Sequence, residues 1–95
     1  MQNLTDQTCL RLAEDVRYQT VGEDEETVIL SLRTGTLFTC NQTTEAFLAA
    51  LDGQRTLAET IDRVGEQFDV SRDALAADLT AIARRLLSEG LILEA

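Results

Sequence analysis

The sequence contains no histidine and no proline, and all eight of its basic residues are arginines. Without histidine, the chain lacks the most frequent general base and the most frequent metal ligand in proteins. It also has no glycine-rich phosphate loop, and no nucleophilic side chain has a partner that would activate it. These absences predict a protein with no catalytic residues, no bound metal and no cofactor. Such a protein binds another molecule rather than converting it.

The cysteine content is low, with Cys9 and Cys40 far apart and outside any Cys-x-x-Cys motif. A zinc site normally has four ligands, mainly thiolates and imidazoles, so here it would have to be completed by carboxylates. The simpler interpretation is a cytosolic protein with two reduced thiols, of which Cys40 serves as a small core residue.

Long apolar segments are also missing. No run approaches the roughly 20 apolar residues that a membrane-spanning helix needs, and the N-terminal residues lack the basic and apolar regions of a secretory signal. A chain of 95 residues with 44% apolar and 26% charged side chains is typical of one globular domain. The sequence therefore predicts a single cytoplasmic domain with no membrane partner.

Acidic residues dominate the charge, with 17 acidic side chains against eight arginines and a net charge of −9. Proteins bind nucleic acid mainly by neutralising phosphates, which this surface would repel. The one dense acidic run, at residues 23–26, lacks the alternating pattern of a calcium-binding loop and is interpreted as a solvated turn between strands.

Three strands are predicted in the N-terminal half, at about residues 16–22, 27–32 and 36–40. They follow residues 1–15, which are weakly patterned and are predicted to form a weakly structured lead-in. Three consecutive strands with short connections indicate an antiparallel meander, in which the first and third strands are edges.

The hairpin between the second and third strands decides which side chains face the core. A two-residue loop at Thr34-Gly35 would divide the apolar residues between both faces. A three-residue loop at residues 33–35, with Gly35 in the left-handed conformation, pairs Leu30 with Phe38 and is preferred. It gathers Val28, Leu30, Leu32, Phe38 and Cys40 on one face and leaves Ile29, Ser31, Leu37 and Thr39 on the other.

Three helices are predicted after the strands, at about residues 42–51, 57–68 and 72–89. Asn41 and Ser71 can cap the first and third helices, and Thr56 forms a capping box with Glu59 at the start of the second. Gly90 is placed to end the third helix. These signals predict a three-helix unit packed against the strands.

The third helix carries two rows of side chains at helical spacing. The main apolar stripe consists of Leu75, Leu79, Ile82 and Leu86. A second row consists of Ala76, Thr80, Ala83 and Leu87. This second row either packs against a neighbouring helix or forms a groove wall that lets another backbone approach closely.

Several segments, taken in order, resemble the PqqD-like family (coenzyme PQQ synthesis protein D-like). They are GxLFxCN after the hairpin, LDG at the end of the first helix, TLAETIDRVGEQFDVSRDALAADL over the next two helices, and LLSEGLI near the end. The resemblance covers residues 16–94. It implies a winged-helix-like α+β fold, in which an N-terminal three-stranded antiparallel meander packs on a C-terminal three-helix bundle.

Members of this family serve as precursor peptide recognition elements (RREs) in natural product biosynthesis. Their pathways make ribosomally synthesised, post-translationally modified peptides (RiPPs). The resemblance implies that a precursor's leader peptide binds as an added strand on the edge of strand three, in a cleft closed by the third helix. The protein would then act as a peptide chaperone for a separate maturation enzyme, which is a radical SAM enzyme, a cyclodehydratase, a dehydratase or a lasso-peptide protease. Cys40 stands where the family usually has leucine.

The third strand also predicts such a site without the resemblance, because it is an edge with no proline or charge to block pairing. Its short length alone is a second explanation for leaving it bare. Arg72, Arg84 and Arg85 on the third helix are available to carboxylates of a leader. The predicted peptide-binding residues are Thr36, Leu37, Phe38, Thr39, Cys40, Ala76, Thr80, Ala83, Arg84 and Leu87.

Two alternative functions remain open from the sequence. A winged-helix DNA-binding regulator has the same strands and helices, but its recognition helix would need a basic surface, whereas the third helix carries Asp73, Asp78 and Glu89 among its arginines. A generic protein-interaction adaptor would need no feature beyond those already described.

Overall fold

The computed structural model describes residues 4–21 and 26–95. The elements in chain order are β1 (Leu10–Leu12), β2 (Val16–Val21), β3 (Glu26–Ser31), β4 (Leu37–Cys40), α1 (Gln42–Ala50), α2 (Leu57–Gly65), α3 (Arg72–Ser88) and β5 (Ile92–Glu94). Strands β2, β3 and β4 form an antiparallel sheet in that order, and β1 pairs antiparallel with β5. The predicted α+β class is confirmed. The solvated turn predicted at residues 23–26 falls mostly outside the described residues.

The predicted helix caps are confirmed. Asn41 Oδ1 accepts a hydrogen bond from the Thr44 N–H at 3.0 Å, and Ser71 Oγ accepts one from the Ala74 N–H at 3.2 Å. At α2, Thr56 accepts from the Glu59 N–H while the Glu59 carboxylate accepts from the Thr56 N–H. Each cap pairs donors that the first turn of a helix leaves unsatisfied. The helices therefore start where the sequence predicts, although α2 ends at Gly65 rather than near residue 68.

The preferred register of the β3–β4 hairpin is wrong by one residue. Ile29 pairs with Phe38 and Leu30 pairs with Leu37, because the loop has four residues, closed by a hydrogen bond from the Gly35 N–H to the Ser31 carbonyl at 2.7 Å. Gly35 has the predicted left-handed conformation, with φ of 73°.

A shift of one residue exchanges the two faces of a strand. Thr27, Ile29 and Ser31 are therefore buried, whereas Val28 and Leu30 are only half-buried and Leu32 is exposed. On β4, Phe38 and Cys40 pack against the core as predicted. The buried Thr27 hydroxyl is 3.2 Å from the Thr20 hydroxyl, and this hydrogen bond satisfies a polar group at a core position.

The prediction of a weakly structured lead-in at residues 1–15 is wrong for its C-terminal part. Leu10–Leu12 form β1, and Leu10 is only 1% exposed. The Ala13 N–H donates to the Leu91 carbonyl at 3.0 Å, and the Gly53 N–H donates to the Leu10 carbonyl at 3.0 Å. This segment thus ties β5 and the α1–α2 connection to the rest of the core.

The core lies between the β2–β3–β4 sheet and the three helices. Its largest fully buried side chain is Phe47 of α1, and the apolar stripes of α2 and α3 pack around it. Those stripes contribute Leu57, Ile61, Val64, Leu75, Leu79 and Leu86. Within the described residues, no helix combines the length and the apolar character needed to cross a membrane.

Candidate functional site

Strand β4 has an open edge, since β3 is the one strand of residues 4–21 and 26–95 that pairs with it. The Ser31 N–H donates to the Thr36 carbonyl at 3.0 Å. In antiparallel pairs, residues that exchange hydrogen bonds alternate with residues that do not. The backbone groups of Phe38 therefore face β3, and those of Leu37 and Thr39 face away from it. Each of these two residues presents one N–H and one C=O at the open edge.

A small cavity lies between β4 and the C-terminal half of α3, and we call it the β4–α3 cleft. Its volume is about 70 Å³. Buried Ile29, Leu86 and Leu91 contribute apolar side chains to its lining, and exposed Arg85 and Glu89 add two opposite charges. The remaining lining residues are Phe38, Thr39, Cys40, Thr44 and Ile82. The cleft therefore offers a mainly apolar interior beside unpaired strand backbone.

A larger concavity of about 590 Å³ adjoins this cleft at the end of β4. Both are lined by Thr39 and Cys40. Its other lining residues are Glu26, Asn41, Gln42, Thr43 and Phe68. An extended chain paired with β4 would therefore lie next to concave protein surface at the level of Thr39.

The five site residues predicted around β4 fall into two groups. Phe38 and Cys40 are half-buried and line the β4–α3 cleft. Leu37, which is 63% exposed, and Thr36 lie outside its lining, while exposed Thr39 borders it. In β4, the backbone N–H and C=O groups of Leu37 and Thr39 therefore face the open edge. The side chains of Phe38 and Cys40 form part of the cleft wall.

The five predicted site residues on α3 do not line the β4–α3 cleft. Ala83 is fully buried and Leu87 is buried, while Ala76 and Thr80 are half-buried and Arg84 is exposed. The core position of Ala83 and Leu87 agrees with the packing interpretation of the second row. In the unbound protein both side chains therefore contribute to the core, and their role in binding a peptide stays a prediction.

The row of α3 that faces β4 consists of Ile82, Arg85, Leu86 and Glu89. Their spacing places them on one side of a helix. The core stripe predicted from the sequence contains Ile82 and Leu86, but its C-terminal half was not predicted to border the strand edge, as it does. The apolar stripe of α3 was visible in the sequence. Which part of this stripe lies next to β4 depends on the direction in which α3 crosses the sheet, and the sequence does not show that direction.

The surroundings of the Cys40 thiol shift its pKa. Burial raises the pKa of Cys40 above its ordinary value, the nearby carboxylates of Glu45 and Glu26 raise it further, and a hydrogen bond with Thr44 lowers it. Since the thiolate is the reactive form, a raised pKa makes a cysteine less nucleophilic at neutral pH. The environment of Cys40 therefore disfavours the reactive thiolate.

We expect this shift to be measurable by alkylation of the Cys9→Ser variant, in which Cys40 is the remaining thiol. The pH at which the iodoacetamide reaction reaches half its maximal rate should lie above that of N-acetylcysteinamide, an uncharged cysteine reference, because more alkaline conditions are needed to form the thiolate. Unfolding the variant in urea should bring the two values together. A half-maximal pH in the folded variant at or below that of N-acetylcysteinamide would contradict the assignment.

Among the described residues, no group of three or more cysteine, aspartate or glutamate side chains is arranged to hold a metal ion. Of the arginines proposed from the sequence to meet a peptide, Arg72 is already paired, with its Nε 2.7 Å from Asp62 Oδ1. This bond raises the pKa of Arg72. Arg85 differs because it lines the cleft.

Comparison with known families agrees with this architecture. The family model for coenzyme PQQ synthesis protein D (PqqD) matches residues 26–92, which is more than half of the chain. The chain belongs to the PqqD family. The matched region extends from β3 into the start of β5 and so includes both β4 and α3. The family resemblance found from the sequence is confirmed.

Two solved structures share the fold of this PqqD family member. One is TbiB1 in complex with the TbiA(beta) leader peptide, with a TM-score of 0.70 and 24% identity over 86% of this chain and 93% of that one. The other is lasso peptide synthetase B1 complexed with the leader peptide, with a TM-score of 0.65 and 19% identity over 88% of this chain and 96% of that one. No curated protein matches the chain.

Proposed function

We propose that the protein binds the leader peptide of a ribosomally synthesised precursor by strand addition to β4. The observation that carries this proposal is the outward-facing backbone of Leu37 and Thr39 beside a small apolar cleft. Strand addition gains affinity from main-chain hydrogen bonds and specificity from pockets that receive alternate side chains. The β4 edge offers the first feature and the β4–α3 cleft offers the second.

Membership of the PqqD family supports the same proposal, as do two structural relatives that are themselves complexes with leader peptides. In this function the protein performs no catalysis and presents the bound precursor to a separate maturation enzyme. The enzyme is one of the classes implied by the family: a radical SAM enzyme, a cyclodehydratase, a dehydratase or a lasso-peptide protease. Peptide-binding residues include those of β4 and, on α3, the row of Ile82, Arg85, Leu86 and Glu89.

We expect a synthetic leader, taken from a short precursor encoded beside the gene, to bind one-to-one with a dissociation constant on the order of 0.1–10 μM. Isothermal titration calorimetry measures both the stoichiometry and the affinity. Methylation of alternate backbone nitrogens of the leader removes donors without changing its side chains, so one of the two alternating patterns should weaken binding more than the other.

Absence of saturable binding, or equal effects of both methylation patterns, would count against strand addition. Duplex DNA serves as the competing ligand, and we expect no binding at physiological salt because the protein carries a net charge of −9. A saturable, sequence-dependent gel shift would instead favour the winged-helix regulator.

A further inference from the structure

We infer that Arg85 selects leader peptides in which an acidic residue and an apolar residue are separated by one position. This inference rests on the proposed function, since it specifies which peptides the β4–α3 cleft accepts. Of the three arginines of α3 that the sequence suggested for contact with carboxylates of a leader, we assign this role to Arg85 and not to Arg72 or Arg84.

The first reason is that, among the residues that the structure describes, Arg85 has no carboxylate or carbonyl partner, although the protein is strongly acidic. Within residues 4–21 and 26–95, the arginines that bond to carboxylates or backbone carbonyls are Arg17, Arg33, Arg55, Arg63 and Arg72. Within the described part of the chain, no carboxylate lies within 4.0 Å of the Arg85 guanidinium. Even Glu89, one helical turn away and spaced for an ion pair, does not form one with it.

The second reason is the position of Arg85. Three arginines have no carboxylate or carbonyl partner among the residues that the structure describes. Of these, Arg11 and Arg84 lie outside the β4–α3 cleft, and Arg85 lines it beside Ile82 and Leu86. A charge pair that forms against apolar side chains is less screened by water than one on an open surface. A carboxylate on a peptide strand bound to β4 would therefore form an ion pair with the Arg85 guanidinium at this point.

The spacing follows from strand geometry. Side chains of an extended peptide alternate between its two faces, so those that point toward α3 recur at every second residue. One such side chain can enter the apolar part of the cleft, between Phe38 and Leu86, while a neighbour on the same face reaches Arg85. Glu89 lines the same cleft and repels a second peptide carboxylate at its own end. The preference for an acidic side chain is therefore limited to one position of the peptide.

The test is a selection of random displayed peptides on the immobilised protein and on two variants, Arg85→Glu and Arg84→Glu. The two variants have the same net charge and both place a carboxylate near the C-terminal end of α3, so their general electrostatic effects match. Peptides selected on the unmodified protein should be enriched in Asp or Glu two positions from an apolar residue. Arg85→Glu should replace this preference by Lys or Arg, and Arg84→Glu should retain it.

Direct titration then measures the effect on one selected peptide. Arg85→Glu should weaken its binding roughly three- to tenfold, as expected for one partly exposed charge pair, while Arg84→Glu should change it by less than about twofold. Enrichment of peptides without an acidic preference, or the same response of both variants, would overturn the role of Arg85 and leave the proposed function intact. If no peptide is enriched on any of the three proteins, the proposed function itself fails.

Discussion

Thr39→Pro should weaken leader binding at least tenfold, about 1.4 kcal/mol or more, and leave the fold intact. The Thr39 N–H faces the open edge of β4, so proline removes a donor that an added strand would use and places ring atoms in the path of the peptide. Proline is tolerated on edge strands where the lost N–H faces outward. Calorimetry with the synthetic leader measures the loss, and circular dichroism monitors the fold.

Two further substitutions serve as controls. Thr39→Val keeps the backbone donor and nearly the same side-chain shape, so binding should be retained. Phe38→Pro removes an N–H that faces β3, so it should lower the thermal stability, whereas Thr39→Pro should not. If Thr39→Pro unfolds the protein while Phe38→Pro does not, the alternation of inward and outward groups on β4 is assigned in the wrong order.

Leu10→Ala should lower the free energy of unfolding by about 2–5 kcal/mol, because it removes most of a side chain that is 1% exposed. That loss is a large share of the total, since small domains have stabilities of about 5–15 kcal/mol. Chemical denaturation followed by circular dichroism gives the difference between the variant and the unmodified protein.

The matched control is Leu93→Ala, on the strand that pairs with β1. Leu93 is 37% exposed, so its truncation should cost clearly less than that of Leu10. Equal, small losses for both substitutions would mean that residues 10–12 contribute little to the core, as the sequence had suggested for the N-terminal segment.

Features governed by local chemistry could be predicted from the sequence. The caps at Asn41, Thr56 and Ser71 depend on side chains within three residues of the N–H groups that they satisfy, so neighbouring residues suffice to identify them. The stripe of α3 follows from helical periodicity in the same way. The order of the three meander strands and the three helices, together with the family resemblance, was therefore predictable, whereas β1 and β5 were not predicted.

Features governed by distant contacts could not be predicted in this way. The β3–β4 register depends on which residues the helices cover. The structure buries Thr27 and Ser31, although the other face of the same segment carries the apolar residues Val28, Leu30 and Leu32. Counting apolar residues favoured the opposite face because the sequence does not reveal that the Thr27 hydroxyl has a partner on β2. Likewise, β1 has three residues, too few for a periodic pattern to indicate a strand.

The candidate site combined both kinds of feature. Its strand half was predictable because an edge without proline or charge is visible in the sequence. Its helix half was not, since Ala83 and Arg85 are two residues apart and only the packing of α3 decides which of them meets β4. Two residues along a helix correspond to about half a turn, so Ala83 is buried while Arg85 is exposed on another side of α3.

The pairing of β1 with β5 joins Leu10 to Glu94, and it has a consequence for synthesis on the ribosome. Leu91 contributes to the cleft floor, and its carbonyl is held by the N–H of Ala13. A nascent chain that has emerged only through α3 carries the strand edge but not this floor. The binding surface is therefore completed only when β5 has left the exit tunnel, and a partial translation product that ends with α3 has no finished cleft with which to capture a precursor.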